Sequence, residues 1–332
     1  MLGWWQTTAS DFDARLLAVG LAALFVSGSL TLWIRFIWRA AEGQPILPYE
    51  PRRPVPWTIP GLLIVVVIFF AALALFSLLY LEPFAAREYP GFRARPFRAR
   101  DELITSAQLL VFMLAQLTAL LAALLGFRLV YRAQPEDWGL VTSHVSRDVF
   151  AALVAALAFL PPIYAMQSLL HRFISDAPHP IIRSLMESDD TLLRPVAFIV
   201  AGIWAPICEE LVFRVMLQGW LERVLIHRHQ PPADEGQVQE LAVVGDATPG
   251  EYAPATPAPR GGWLPIAISS ALFAAVHVNF QSPNLDIIPL FFFACGLGYL
   301  YQRTHRAIPS ILLHMMLNVC SLTALMLTLS SP

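Results

Sequence analysis

Eight long apolar runs constrain this sequence more than any other feature. A helix needs ~20 mostly apolar residues, each rising about 1.5 Å, to cross a bilayer. By that rule the candidate spans are residues 16–34, 59–81, 104–127, 149–170, 195–217, 263–277, 287–301 and 307–329. The sixth and seventh are short, which suits helices that line a cavity inside protein more than helices that face lipid. The composition points the same way. The chain is 57% hydrophobic and only 14% charged, against roughly 45–50% and about 25% for soluble domains. The expected fold is therefore all-α, a polytopic transmembrane helical bundle of about eight membrane helices, integral to the membrane and multi-pass.

A net charge of -2 gives no concentrated field of one sign, so nucleic acid is set aside as a partner. The lipid bilayer is the expected surrounding. All 22 basic residues are Arg; with the abundance of Ala, this suggests a bacterial inner (plasma) membrane. Cys208, Cys295 and Cys320 lie in apolar stretches without CxxC spacing, which indicates neither a disulfide framework nor a thiolate zinc site. The start, MLGWWQTTASDFDAR, has acids where a signal peptide carries base, so the first helix is expected to be retained.

The sequence divides in two. Residues 1–148 hold the N-terminal helices, with interfacial stretches at 35–57 and 82–103, and carry no recognised motif. Residues 149–332 hold the charged motifs and a connection at 228–262 that is rich in Pro, Ala, Gly and acids. That composition without periodicity predicts a disordered extramembrane loop. His227 and His229 at its start are expected to be solvated rather than ligating.

Among acids and histidines, Glu209, Glu210, His277 and His314 stand out as lying well inside predicted spans. An ionisable group at the bilayer centre costs at least ~2.5–3.5 kcal/mol on insertion scales, so it needs compensation or a function. Glu210 and Arg214 are spaced for a helix ion pair. Glu209 sits about 100° further round and is free to face another helix or a cavity. Pro206, one turn earlier, is expected to kink or loosen the helix where the acids begin. In the sixth span FAAVH puts Phe273 and His277 on one face, and in the eighth HMMLN does the same for His314 and Asn318. The plainer alternative is a structural salt bridge with satisfied packing histidines. As a set, however, these residues supply a carboxylate base, a second proton carrier and two oxyanion donors, an inventory suited to hydrolysis. No serine has a GxSxG setting.

EELVFR, FAAVH and HMMLN resemble, in order and spacing, the EExxxR, FxxxH and HxxxN motifs of the CPBP family of intramembrane proteases. That family includes the type II CAAX prenyl proteases and the abortive-infection and bacteriocin-processing proteins. The resemblance covers residues 194–325 and departs at Val215, where the family usually has Gly. It implies an intramembrane endopeptidase acting on membrane-associated or lipidated peptide or protein substrates. In that reading Glu209 activates a water and His277 helps to bind or deprotonate it. Glu210 and Arg214 hold the geometry, and His314 and Asn318 stabilise the oxyanion.

A metal-free mechanism without cofactor is favoured. The sequence has no HExxH, and giving His314 and Asn318 to the oxyanion leaves a poor ligand set. Zinc held by Glu209, His277 and His314 is the runner-up. The alternatives from other classes are a non-catalytic immunity or scaffold protein and a proton-coupled transporter.

Overall fold

The computed structural model describes residues 3–83, 87, 105–141, 143–172, 180–187, 190–226, 262–278 and 286–330. The expected loop at 228–262 apart from Gly262, its histidines, and most of 82–103 lie outside the described residues. Each of the eight predicted apolar stretches forms helix among the described residues, the third from Ser106 onward. In chain order the helices are α1 (Gly3–Ala41), α2 (Ile59–Leu81), α3 (Ser106–Val130), α4 (Val145–Leu170), the short α5 (Pro180–Glu187), α6 (Leu193–Leu225), α7 (Trp263–Val276), α8 (Ile287–Thr304) and α9 (Ala307–Ser330).

Six of these, α1, α2, α3, α4, α6 and α9, are long and apolar enough to cross a membrane; α7 and α8 fall short of that measure, so the expected count of about eight is not confirmed. The last turn of α8 is spent on Gln302, Arg303 and Thr304. α7 has only 14 residues, a rise of about 21 Å against a hydrocarbon core of about 30 Å. It starts at the bundle end where Gln302 donates a hydrogen bond to the Gly262 carbonyl. The residue that caps its C-terminus, His277, therefore stops short of the far end of the bundle's longer helices. This shortness brings His277 to the depth of the acids on α6.

Helices α4, α8 and α9 form one packed layer, with α1 lying against α4 and α7 against α8 and α6. Helices α2 and α3 pair on the other side of α6. Trp57, Phe127, Trp138, Leu211, Val215, Met216 and Tyr301 are the large members of the core between them. Val215 is fully buried there, so the position where the family usually has Gly is filled by packing.

A polar network closes the bundle end where α1, α3, α6 and α8 finish. Residues 50–57 cross this end and are pinned from below. Arg306 pairs with Glu50, and through Nε with Asp148 at 2.6 Å. His305 Nε2 lies 3.2 Å from Glu222, and Arg53 contacts Asp137 at 2.6 Å. Arg223 Nη1 donates to the carbonyls of Val55, Pro56 and Trp57. Gly139, at φ +64, packs its backbone against this network, where a Cβ would stand 2.8 Å from the His305 carbonyl.

At the opposite end Asp190 accepts the Ser106 N–H at 2.8 Å and the Leu192 N–H at 3.0 Å, tying the start of α3 to the approach of α6. Burial pushes this carboxyl up, but the hydrogen bonds outweigh it and hold Asp190 below its ordinary value. A depressed carboxylate stabilises the fold above its unfolded value and loses that contribution as pH falls through its folded one. The thermal midpoint of Asp190→Asn is therefore expected to lie below wild type at neutral pH and to converge with it below about pH 4. A gap that stays constant with pH would contradict this.

Candidate active site

The chemistry-bearing residues come from three helices whose faces are set by simple spacing. On α6, Glu210, Arg214, Gln218 and Glu222 repeat every four residues and form one ridge; all four are buried. On α7, Ser269, Phe273 and His277 do the same. On α9, His314 and Asn318 are one turn apart.

The α6 and α7 ridges meet at Arg214. Its Nε donates to Glu210 Oε2 at 3.2 Å, its Nη1 to Ser269 Oγ at 2.9 Å, and its guanidinium lies 5.1 Å over the Phe273 ring. Ser269 passes its own proton to the Phe213 carbonyl at 2.8 Å. Both side chains of the ion pair are completely buried. In such a place a pair depends on hydrogen bonds to its remaining donors and acceptors; Nε and Nη1 of Arg214 have theirs, whereas Nη2 has none.

The other oxygen of Glu210 orients α9. His314 Nδ1 lies 3.0 Å from Glu210 Oε1; facing a carboxylate, Nδ1 carries the proton and donates. The Phe273 and Phe293 rings meet His314 edge-on at 5.6 and 5.9 Å, which fixes its plane. His277 is held similarly: its Nδ1 donates to the Phe273 carbonyl at 2.7 Å. Each imidazole therefore turns Nε2 inward.

Both Nε2 atoms face the same oxygen. Glu209 Oε2 lies 3.8 Å from His277 Nε2 and 3.8 Å from His314 Nε2, beyond direct hydrogen bonding but within the span of one bridging water. The exposure is graded: Glu210 and Arg214 side chains 0%, His314 4%, Glu209 22% and His277 36%. A rigid buried pair thus stands behind an accessible carboxylate and imidazole.

Five of the six expected site residues converge in this way: Glu209, Glu210, Arg214, His277 and His314. Asn318 is not drawn to them. Its Nδ2 donates instead to the Ala201 carbonyl on α6 at 2.8 Å. The loosening expected at Pro206 takes the form of a widened π-helical turn, Val200–Trp204, with no break in the helix. A second π-helical stretch, Leu211–Gln218, follows the acids.

Sequence reading missed Ser269, although extending the Phe273–His277 face back by four residues reaches it. It also missed the buried Glu222, which His305 contacts at 3.2 Å and Arg52 at 3.7 Å. The four-residue period from Glu210 was the available signal. Asp148, at 0% exposure against Arg306, was missed because it sits in the first turn of α4.

Residues 191–320 match the family described as type II CAAX prenyl endopeptidase Rce1-like. Over these residues the chain is similar to that family. The matched segment is a minority of the chain and contains all six candidate residues. At family level the match supports endopeptidase activity, and two helices of the matched segment, α6 and α9, are long and apolar enough to cross a membrane. No curated protein and no solved structure matches the chain.

Proposed function

We propose that the Rce1-like domain hydrolyses peptide bonds of membrane-associated or lipidated peptides or proteins, within the plasma membrane of a bacterium, through a glutamate-activated water. The observation that carries this reading is the single oxygen, Glu209 Oε2, faced at 3.8 Å by two imidazole Nε2 atoms from two other helices. A water between them gives one proton to Glu209 and directs the other at His277 Nε2, whose own Nδ1–H is already spent on the Phe273 carbonyl. Its lone pair is then aimed at a substrate carbonyl. Glu209 takes the proton as the carbon–oxygen bond forms and returns it to the leaving amine as the carbon–nitrogen bond breaks.

The oxyanion needs a donor, and His314 supplies one when Nε2 also carries a proton. Glu210 accepts its Nδ1–H at 3.0 Å and so fixes the ring while the second proton is used. In that state Glu209, Glu210, Arg214 and His314 carry two negative and two positive charges, so the buried cluster is balanced. Preorganised donors of this kind lower the barrier because they need no reorientation as charge develops.

Zinc is the alternative reading, although among the described residues no group of three His, Cys, Asp or Glu side chains is arranged to hold a metal ion. Two imidazoles with engaged Nδ1–H groups present bare Nε2 atoms beside a carboxylate, the arrangement in which outer hydrogen bonds orient ligating histidines. Glu209, His277 and His314 would hold zinc, which would supply an acidified water and polarise the carbonyl. The deciding experiment is cleavage of a membrane-anchored reporter peptide by the purified full chain in lipid nanodiscs, with and without a strong chelator. Cleavage that survives the chelator is the expected result. Cleavage abolished by chelator and restored by zinc would replace the metal-free reading, and no cleavage in either condition would sink the peptidase reading itself.

A further inference from the structure

The carbonyl of Ala201 has no backbone donor in either helical register. In an α-helical turn its partner would be the N–H of residue 205, and in a π-helical turn that of residue 206. Ala205 donates its N–H to the Val200 carbonyl. Residue 206 is proline and has none. The Asn318 carboxamide fills the place, donating from Nδ2 at 2.8 Å. A carbonyl only accepts, so the amide must present its nitrogen here.

The surroundings bring α9 close enough for this. Helix α9 packs along the widened turn, and a Cβ built on Gly202 would lie 3.5 Å from both Val319 and Leu322. The consequence falls on the acids three and four residues beyond Pro206. A π turn holds one residue more than an α turn, so its loss would rotate the following helix by about 100° relative to the preceding one. The same angle separates Glu209 from Glu210. A slip of one residue would thus exchange the accessible face of α6 for the face that pairs with Arg214.

We propose that Asn318 is a positioning residue: its carboxamide stands in for the N–H that Pro206 lacks, holds the π turn, and thereby sets the direction in which Glu209 points. Its kinetic consequence rests on the peptidase reading, whereas the hydrogen bond does not. The proposal departs from the expectation that Asn318 spends its donor on the oxyanion.

The test is a cycle of four full-length proteins in detergent: wild type, Asn318→Leu, Pro206→Ala and the double variant. Pro206→Ala restores a backbone N–H that can serve the Ala201 carbonyl. Asn318→Leu is expected to lower the thermal midpoint by ~2–4 °C when Pro206 is present, and to have little effect in the Pro206→Ala background. On the reporter peptide it is expected to reduce kcat by roughly tenfold to a hundredfold with KM unchanged, and the double variant to recover most of that loss. Equal thermal losses in the two backgrounds would overturn the hydrogen-bond argument. Thermal recovery with kcat still depressed would overturn the positioning role and return Asn318 to direct contact with substrate. If wild type cleaves nothing, the peptidase reading fails, while the thermal cycle still decides what Asn318 does.

Discussion

Glu209→Gln is expected to lower kcat on a membrane-anchored reporter peptide by about two to four orders of magnitude while leaving the thermal midpoint close to wild type. Gln keeps the shape and one hydrogen-bond acceptor but cannot take a proton from water. Glu209 is also partly accessible, and it touches neither Arg214 nor Ser269 by hydrogen bond. Removing its charge therefore perturbs chemistry much more than packing. His277 Nε2 still accepts a hydrogen bond from the water in this variant, but the carboxylate oxygen that both imidazoles face at 3.8 Å, and that takes the proton in this mechanism, is gone. Initial-rate measurements across substrate concentration check this. A variant that retains activity within tenfold of wild type would remove Glu209 from the base role.

The largest loss of stability is expected from Arg214→Leu, about 3–5 kcal/mol. Glu210 and Arg214 are completely buried, and the pair is extended by Ser269 on one side and His314 on the other. Removing only the guanidinium strands a carboxylate in a low-dielectric interior, where the missing partner matters more than the lost Coulomb energy. The double variant Glu210→Leu/Arg214→Leu removes both charges. It is expected to regain most of the stability, as buried pairs replaced by apolar groups often do. It should remain inactive nonetheless, because His314 loses the carboxylate that orients Nδ1. Thermal unfolding in detergent and peptide cleavage separate the two effects. An Arg214→Leu protein as stable as wild type would show that the pair is dispensable to the fold.

Much of this architecture is legible in residue order because the constraints involved are local. Apolar length specifies helices, and a four-residue period specifies a face. Glu210–Arg214, Phe273–His277 and His314–Asn318 could each be placed on one side of a helix before any tertiary contact was known. The same rule carried two turns further would have exposed Gln218 and Glu222, and one turn back from Phe273 would have reached Ser269. Those were overlooked because hydroxyls and amides carry little insertion cost and attract less notice than charge, and because Glu222 lies beyond the end of the predicted span. Depth was illegible for a different reason. The position of His277 depends on where α7 begins, and that is fixed by Gln302 of α8 holding the Gly262 carbonyl, a contact between distant parts of the chain.

The sequence by itself determined the eight apolar helices, though not the short α5, together with which of their faces are polar and which residues can do proton chemistry, since these follow from composition and the helical repeat. Tertiary structure decided which atoms face one another. It turned both Nε2 atoms toward Glu209 Oε2 by engaging each Nδ1 elsewhere, and it gave the Asn318 amide to a backbone carbonyl left bare by proline. Periodicity sets a side chain's direction only relative to its own helix axis. The rotation and depth of each helix are set by packing against its neighbours, and hydrogen-bond partners follow from those.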